Sequence, residues 1–113
     1  MVTRFTRFRG LVVLMALLVL AATVLAGCGG GLEDNASGEE IYNARCSSCH
    51  RKDLTGGIGP RLGPGSDAVD RPLDYYDITI RTGKGRMPSF GSTLSDEQIT
   101  RVIDYVLGVQ NAG

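Results

Sequence analysis

The 113-residue chain has no tryptophan, one histidine, three cysteines and three methionines, and its formal net charge is zero. These scarcities exclude whole classes of function. A neutral chain lacks the basic surplus that phosphate-rich partners require, so nucleic acid is not an expected partner. One CxxC pair and one imidazole, with no second CxxC and no HxxxH, leave a four-ligand zinc site incomplete. No βαβ pattern surrounds the CxxC, which argues against a thioredoxin-type disulfide. There are no repeats, and the length suits one small domain.

Long apolar runs are also scarce. The one present, LVVLMALLVLAATVLA, spans Leu11 to Ala26 behind Arg4, Arg7 and Arg9. It is shorter than the ~20 residues of a bilayer span, and small residues close it, as in a secretion signal. LAGC, Leu25 to Cys28, resembles the lipobox of bacterial lipoproteins; the alternative is an uncleaved anchor helix. The resemblance implies cleavage ahead of Cys28 and lipid, palmitate included, on that residue. Residues 1–27 are then the signal peptide, 28–37 (CGGGLEDNAS) a flexible tether with a reach of about 17 Å, and 38–110 the folded domain. The expected location is the cell membrane, lipid-anchored and facing away from the cytoplasm. Without the three leader arginines the chain keeps nine basic against twelve acidic residues, a net charge of −3.

The short mature chain cannot bury a large core and needs a staple. Ser37 caps a helix that opens with Glu39 and Glu40 and delivers Cys46 on its last turns. Residues 54–66, LTGGIGPRLGPGS, are too rich in glycine and proline for regular structure and read as a loop that wraps closely. Residues 73–82 fit helix through Leu73, Tyr76 and Ile80, or strand through Tyr76, Ile78 and Ile80. Gly83 in a C-cap position favours helix. Ser95 and Gln98 form a capping box for a helix from about Asp96 to Leu107, with Ile99, Val102, Ile103, Val106 and Leu107 as its apolar stripe.

The sole histidine, His50, closes CSSCH, residues 46–50. Two thiols on a short turn can add across haem vinyl groups, and the histidine that follows then binds the iron. If Cys28 carries lipid, this pair consumes the remaining thiols. Bis-histidine ligation within the chain is excluded. Met87 is the only methionine beyond the leader, and it sits in GRMPSF among glycines and a proline. A lone methionine is ordinarily core filler. A loop of this composition favours the second axial ligand instead.

The order GEEIYNARCSSCH, GIGPRLG, IRTGKGRMPSF and LSDEQITRVIDYVL resembles class I c-type cytochromes, most of all the small membrane-anchored bacterial lipoproteins, across residues 38–108. The resemblance implies an all-α cytochrome c fold of three to four helices around one covalent haem c. It implies thioethers at Cys46 and Cys49 and axial ligands at His50 and Met87. Pro60 would accept the imidazole Nδ1–H, and Leu62 would pack on the haem. Gly38, Tyr42 and Tyr105 would mark the crossing of the first and last helices. The missing tryptophan leaves the propionates without a common donor, for which Arg61, Arg86, Tyr75 and Tyr76 are candidates.

The expected function is one-electron transfer, not enzymatic catalysis. The carrier would be a monomer serving membrane-bound redox complexes of a respiratory chain as donor and acceptor. The alternatives are a fixed haem subunit of one oxidoreductase, or a haem-based sensor of small ligands. Arg51, Lys52, Arg81, Lys84 and Arg86 suggest a locally basic docking face on an acidic molecule.

Overall fold

The computed structural model describes residues 12–13, 15–16 and 31–113. Cys28 and nearly all of the expected signal peptide lie outside the described residues. The compact unit that carries the CSSCH motif runs from Leu32 to Gly113. Its helices are α1 (Gly38–Arg45), α2 (Ser47–His50), α3 (Leu73–Thr82) and α4 (Asp96–Ala112). No strand is found among the described residues, where one isolated bridge pairs Lys84 with Met87. No described helix is long and apolar enough to cross a membrane. The expected all-α class is the class observed.

Both helices that cross at the heart of the fold begin with reciprocal caps. The Ser37 hydroxyl accepts the Glu40 amide at 3.2 Å while the Glu40 carboxylate accepts the Ser37 amide at 2.8 Å. Ser95 and Gln98 repeat the device at 3.2 and 3.0 Å. Each cap satisfies amides that a helix start otherwise leaves open. At the crossing, a Cβ added to Gly38 would overlap the Arg101 carbonyl and lie 2.8 Å from the Tyr105 Cβ. The Tyr42 and Tyr105 rings sit 5.4 Å apart just beyond it. This is the meeting point that the resemblance implied. Ile41, Tyr42, Leu54, Ile99 and Val102 are the large side chains buried completely, each worth about 1.5–3 kcal/mol.

Helix α3 settles the ambiguity of residues 73–82. Pro72 stands at its N-cap, and Gly83, at φ 74°, ends it by donating to the Thr79 carbonyl at 2.8 Å. The contacts of α3 with α4 run in the opposite sense along the two helices: Tyr76 meets Gln110 near the end of α4, and Arg81 meets Asp96 at its start. Of the face expected from Leu73, Tyr76 and Ile80, Tyr76 is buried, Ile80 packs on the core and Leu73 is 60% exposed. Helix α4 passes the expected end at Leu107 and continues to Ala112. Buried Gln110 holds that extra turn, donating to the Leu62 carbonyl at 2.7 Å.

The compact unit begins at Leu32 and not at Gly38. Ala36 is buried, Leu32 packs on the core, and the Glu33 and Asp34 carbonyls accept from Gln98 and Arg101. Residues 32–37 thus belong to the packed body, although a flexible tether was expected to run to Ser37. Its polar composition concealed that its carbonyls would find donors on α4.

Candidate haem site

Helices α1 and α2 meet at Cys46, which is the C-cap of the first and the N-cap of the second. The His50 amide donates to the Cys46 carbonyl at 3.0 Å, so Cys46 and His50 fall one turn apart on one side. Arg51 then turns the chain with φ 64°. Its carbonyl accepts from the buried Tyr42 hydroxyl at 2.8 Å, which fixes the exit from the turn. Both cysteines are free thiols. Burial, and secondarily the neighbouring Cys49, pushes the Cys46 thiol up to about 11.

The His50 ring is buried, and its Nδ1 lies 2.8 Å from the Pro60 carbonyl. A carbonyl only accepts, so Nδ1 carries the proton and the Nε2 lone pair stays available to a metal. The loop expected to wrap closely does so through its backbone. Gly56 donates to the His50 carbonyl at 3.0 Å, Gly59 to the Cys49 carbonyl at 3.0 Å, and Leu62 to the Leu54 carbonyl at 2.9 Å. Gly59 lies flat against the imidazole, and a Cβ there would sit 2.7 Å from Cε1. Leu62 is half-buried against the core, and its carbonyl is the group that Gln110 holds.

Met87 stands on a separate loop. Lys84 and Met87 exchange two backbone hydrogen bonds, at 3.2 and 3.0 Å, that form a tight turn. The turn folds back on Gly83, where a Cβ would lie 2.6 Å from the Met87 carbonyl. Met87 is half-buried, while Ile80 and Phe90 are the side chains around it that pack on the core. The structure therefore joins Cys46, Cys49, His50 and Pro60 directly and ties Leu62 to α4, while Met87 stands apart on the loop that follows α3.

The propionate candidates differ in their freedom. Tyr76 is committed inward to the Ala68 carbonyl and Gln110. Arg61 donates to the Pro64 carbonyl at 2.6 Å, and Arg86 is exposed. Tyr75 accepts from Lys84 at 3.1 Å, and this bond holds its phenol below the usual range. Arg81 leaves the expected basic face, because it pairs with Asp77 and Asp96. Sequence reasoning missed Gly59 and Gln110. The first could be read from its place before Pro60, whereas a polar residue beyond an apolar stripe gives no signal.

These groups fit haem c. Two reduced thiols share a turn with an imidazole whose Nε2 is its unused nitrogen, and a thioether is available on a glycine-shaped loop. Among the described residues, no cluster of three or more histidine, cysteine or acidic side chains could hold a metal ion by itself.

Comparison with known proteins agrees. The family model described as "Cytochrome C oxidase, cbb3-type, subunit III" matches residues 33–106. A cytochrome c6 of Gracilaria tenuistipitata var. liui is 34% identical over 84 residues, covering 71% of this chain and 77% of that protein. A cytochrome c-551 of Halorhodospira halophila is 34% identical over 76 residues, or 62% of this chain and 95% of its own length. The solved structure of cytochrome c6 from the diatom Phaeodactylum tricornutum is 36% identical, with a TM-score of 0.56, covering 66% of this chain and 92% of that one. With fold, thiol pair and relatives in accord, the chain belongs to the c-type cytochromes as a small class I member with one covalent haem c.

Proposed function

We propose that the chain is a one-electron carrier in which Cys46 and Cys49 form the thioethers and His50 and Met87 ligate the iron. Haem c so ligated supplies a metal that gains or loses one electron without exchanging ligands. The observation that carries the reading is the 2.8 Å contact from His50 Nδ1 to the Pro60 carbonyl, one residue from a free thiol. It fixes the imidazole tautomer, orients the ring and raises the basicity of Nε2. Gly59 keeps the loop close enough for Pro60 to reach. The Lys84–Met87 turn and Gly83 set the thioether, and Gln110 steadies the segment bearing Leu62. These restraints limit movement of the ligands on electron transfer.

The carrier serves membrane-bound redox complexes on the outer face of the membrane, held there by lipid on Cys28. Arg51, Lys52, Lys84 and Arg86 are exposed and suit an acidic patch on the partner. Absorption spectra of the purified protein in both oxidation states test the site. Covalent haem and a methionine–iron charge-transfer band are expected, and Met87→Ala should abolish the band. A Met87→Ala protein that keeps it would reassign the sixth ligand. Mass spectrometry of the membrane-extracted chain tests the lipid: an unmodified Cys28 refutes the anchor.

A fixed subunit of a larger oxidoreductase is the second reading. The family description favours it, as does a relative in Pseudomonas putida named 4-cresol dehydrogenase cytochrome c subunit, 32% identical over 98 residues. Mild extraction separates the two. A carrier elutes alone in moderate salt, whereas a subunit stays with one large complex.

A further inference from the structure

Arg81 is the point at which three parts of the domain are tied together. Its Nε lies 2.9 Å from both carboxylate oxygens of Asp77 one turn earlier in α3, and its Nη1 lies 2.6 Å from Asp96 in the first turn of α4. Its own carbonyl accepts from the Ser89 hydroxyl and, at 3.1 Å, from the Gly91 amide. The Phe90 amide completes the seam by donating to the Ile80 carbonyl at 2.9 Å. Gly91 presses so closely that a Cβ there would lie 2.9 Å from the Arg81 carbonyl. The chain from Thr82 to Ser95 is thereby closed at both ends by a single residue, and Met87 lies inside that closed segment.

Resting on the reading of Met87 as axial ligand, we infer that Arg81 is a positioning residue for the methionine–iron bond, tying the two ends of the Met87 loop together through Asp96 while Asp77 orients its guanidinium. The backbone bonds at Ser89 and Gly91 survive any substitution at Arg81. The side-chain pairs do not: Asp96 joins the start of α4 to the end of α3, and Asp77 orients the guanidinium that makes this link. Their loss leaves the fold intact and raises the fraction of time that the thioether is off the iron. The pairs are partly solvated, with the Arg81 side chain 35% and Asp96 82% exposed. The expected effect is accordingly modest, ~2–5-fold in the opening of the loop.

The test uses the oxidised holoprotein and follows the rate at which added imidazole, a neutral competitor, displaces methionine, read at the charge-transfer band. Arg81→Gln should displace ~2–5-fold faster than wild type, with Arg81→Lys in between. The Asp77→Asn/Asp96→Asn double variant should also be faster, although it shifts the local charge in the opposite direction. Arg101→Gln, which cuts an α4 contact to Asp34 away from the loop, should match wild type. Equal rates in wild type and Arg81→Gln overturn the inference. So does an opposite change in the acidic double variant, which would mark a charge effect, or an equal rise in Arg101→Gln, which would mark general loosening. A wild-type protein without the band defeats the ligand reading itself, a result distinct from a present band that Arg81→Gln leaves unmoved.

Discussion

Gly38→Ala and Gly108→Ala are the same chemical change made on the two crossing helices, and the structure assigns them opposite signs. At Gly38 the new methyl overlaps the Arg101 carbonyl and approaches the Tyr105 Cβ to 2.8 Å. The clashing Arg101 carbonyl belongs to helix backbone and cannot rotate away, so α1 and α4 must part by about an ångström. A gap of that size forfeits roughly a quarter to a half of the dispersion between facing atoms. Ile41, Tyr42, Ile99 and Val102 are the fully buried side chains of these two helices. Losing about a quarter of the ~2 kcal/mol that each contributes gives a penalty of about 2 kcal/mol, within the usual range for overpacking. For a domain of this size that lowers the melting temperature by about 8–16 °C. At Gly108 nothing lies within 4 Å of the added methyl, and alanine should stabilise α4 by about 0.5–1 kcal/mol. Thermal unfolding of both holoproteins by circular dichroism decides the matter. A Gly38→Ala protein that melts within about 2 °C of wild type, or a pair that shifts in the same direction, refutes the close-contact argument.

Three further outcomes follow from the geometry. Gly59→Ala should push the His50 ring off the Pro60 carbonyl, so that the imidazole Nδ1 proton, followed by NMR, exchanges ~2–10-fold faster. Gln110→Leu leaves the half-buried Leu62 carbonyl without its donor and should cost about 1 kcal/mol in urea titrations of the holoprotein. The Glu40 carboxyl is held below its ordinary value, first by the Ser37 amide and then by the Ser37 hydroxyl. A depressed folded value contributes stability above the unfolded value of 4.5 and loses it as pH falls through the folded value. Glu40→Gln should therefore show a shallower decline in stability than wild type between about pH 6 and pH 3.

Local chemistry made much of this molecule readable in advance. Ser95 and Gln98 announce α4 because a capping box is a contact between residues three apart. CSSCH announces its own turn for the same reason, and Gly83 tips residues 73–82 toward helix by ending it. What escaped reading depends on partners distant in sequence. Gln110 holds Leu62 and Arg101 holds Asp34, and neither pair leaves a mark on the stretch around it. Arg81 was counted among the free basic residues because its second carboxylate, Asp96, lies fifteen positions away. Of the site, the thiols and imidazole are legible as a motif. The clamp on the Met87 loop and the close fit of Gly59 against His50 become visible only in three dimensions.

The packing of Leu32 to Ser37 against α4 sets the length of the leash. If lipid holds Cys28, only the links from Cys28 to Leu32 remain to span the distance from the headgroups, and four residues cannot exceed about 14 Å at full extension. With such an anchor, so short a lead would keep the end of the domain near Gln98 and Arg101 close to the lipid. Under that anchor, any redox partner would have to offer its docking site within a shallow layer just above the lipid.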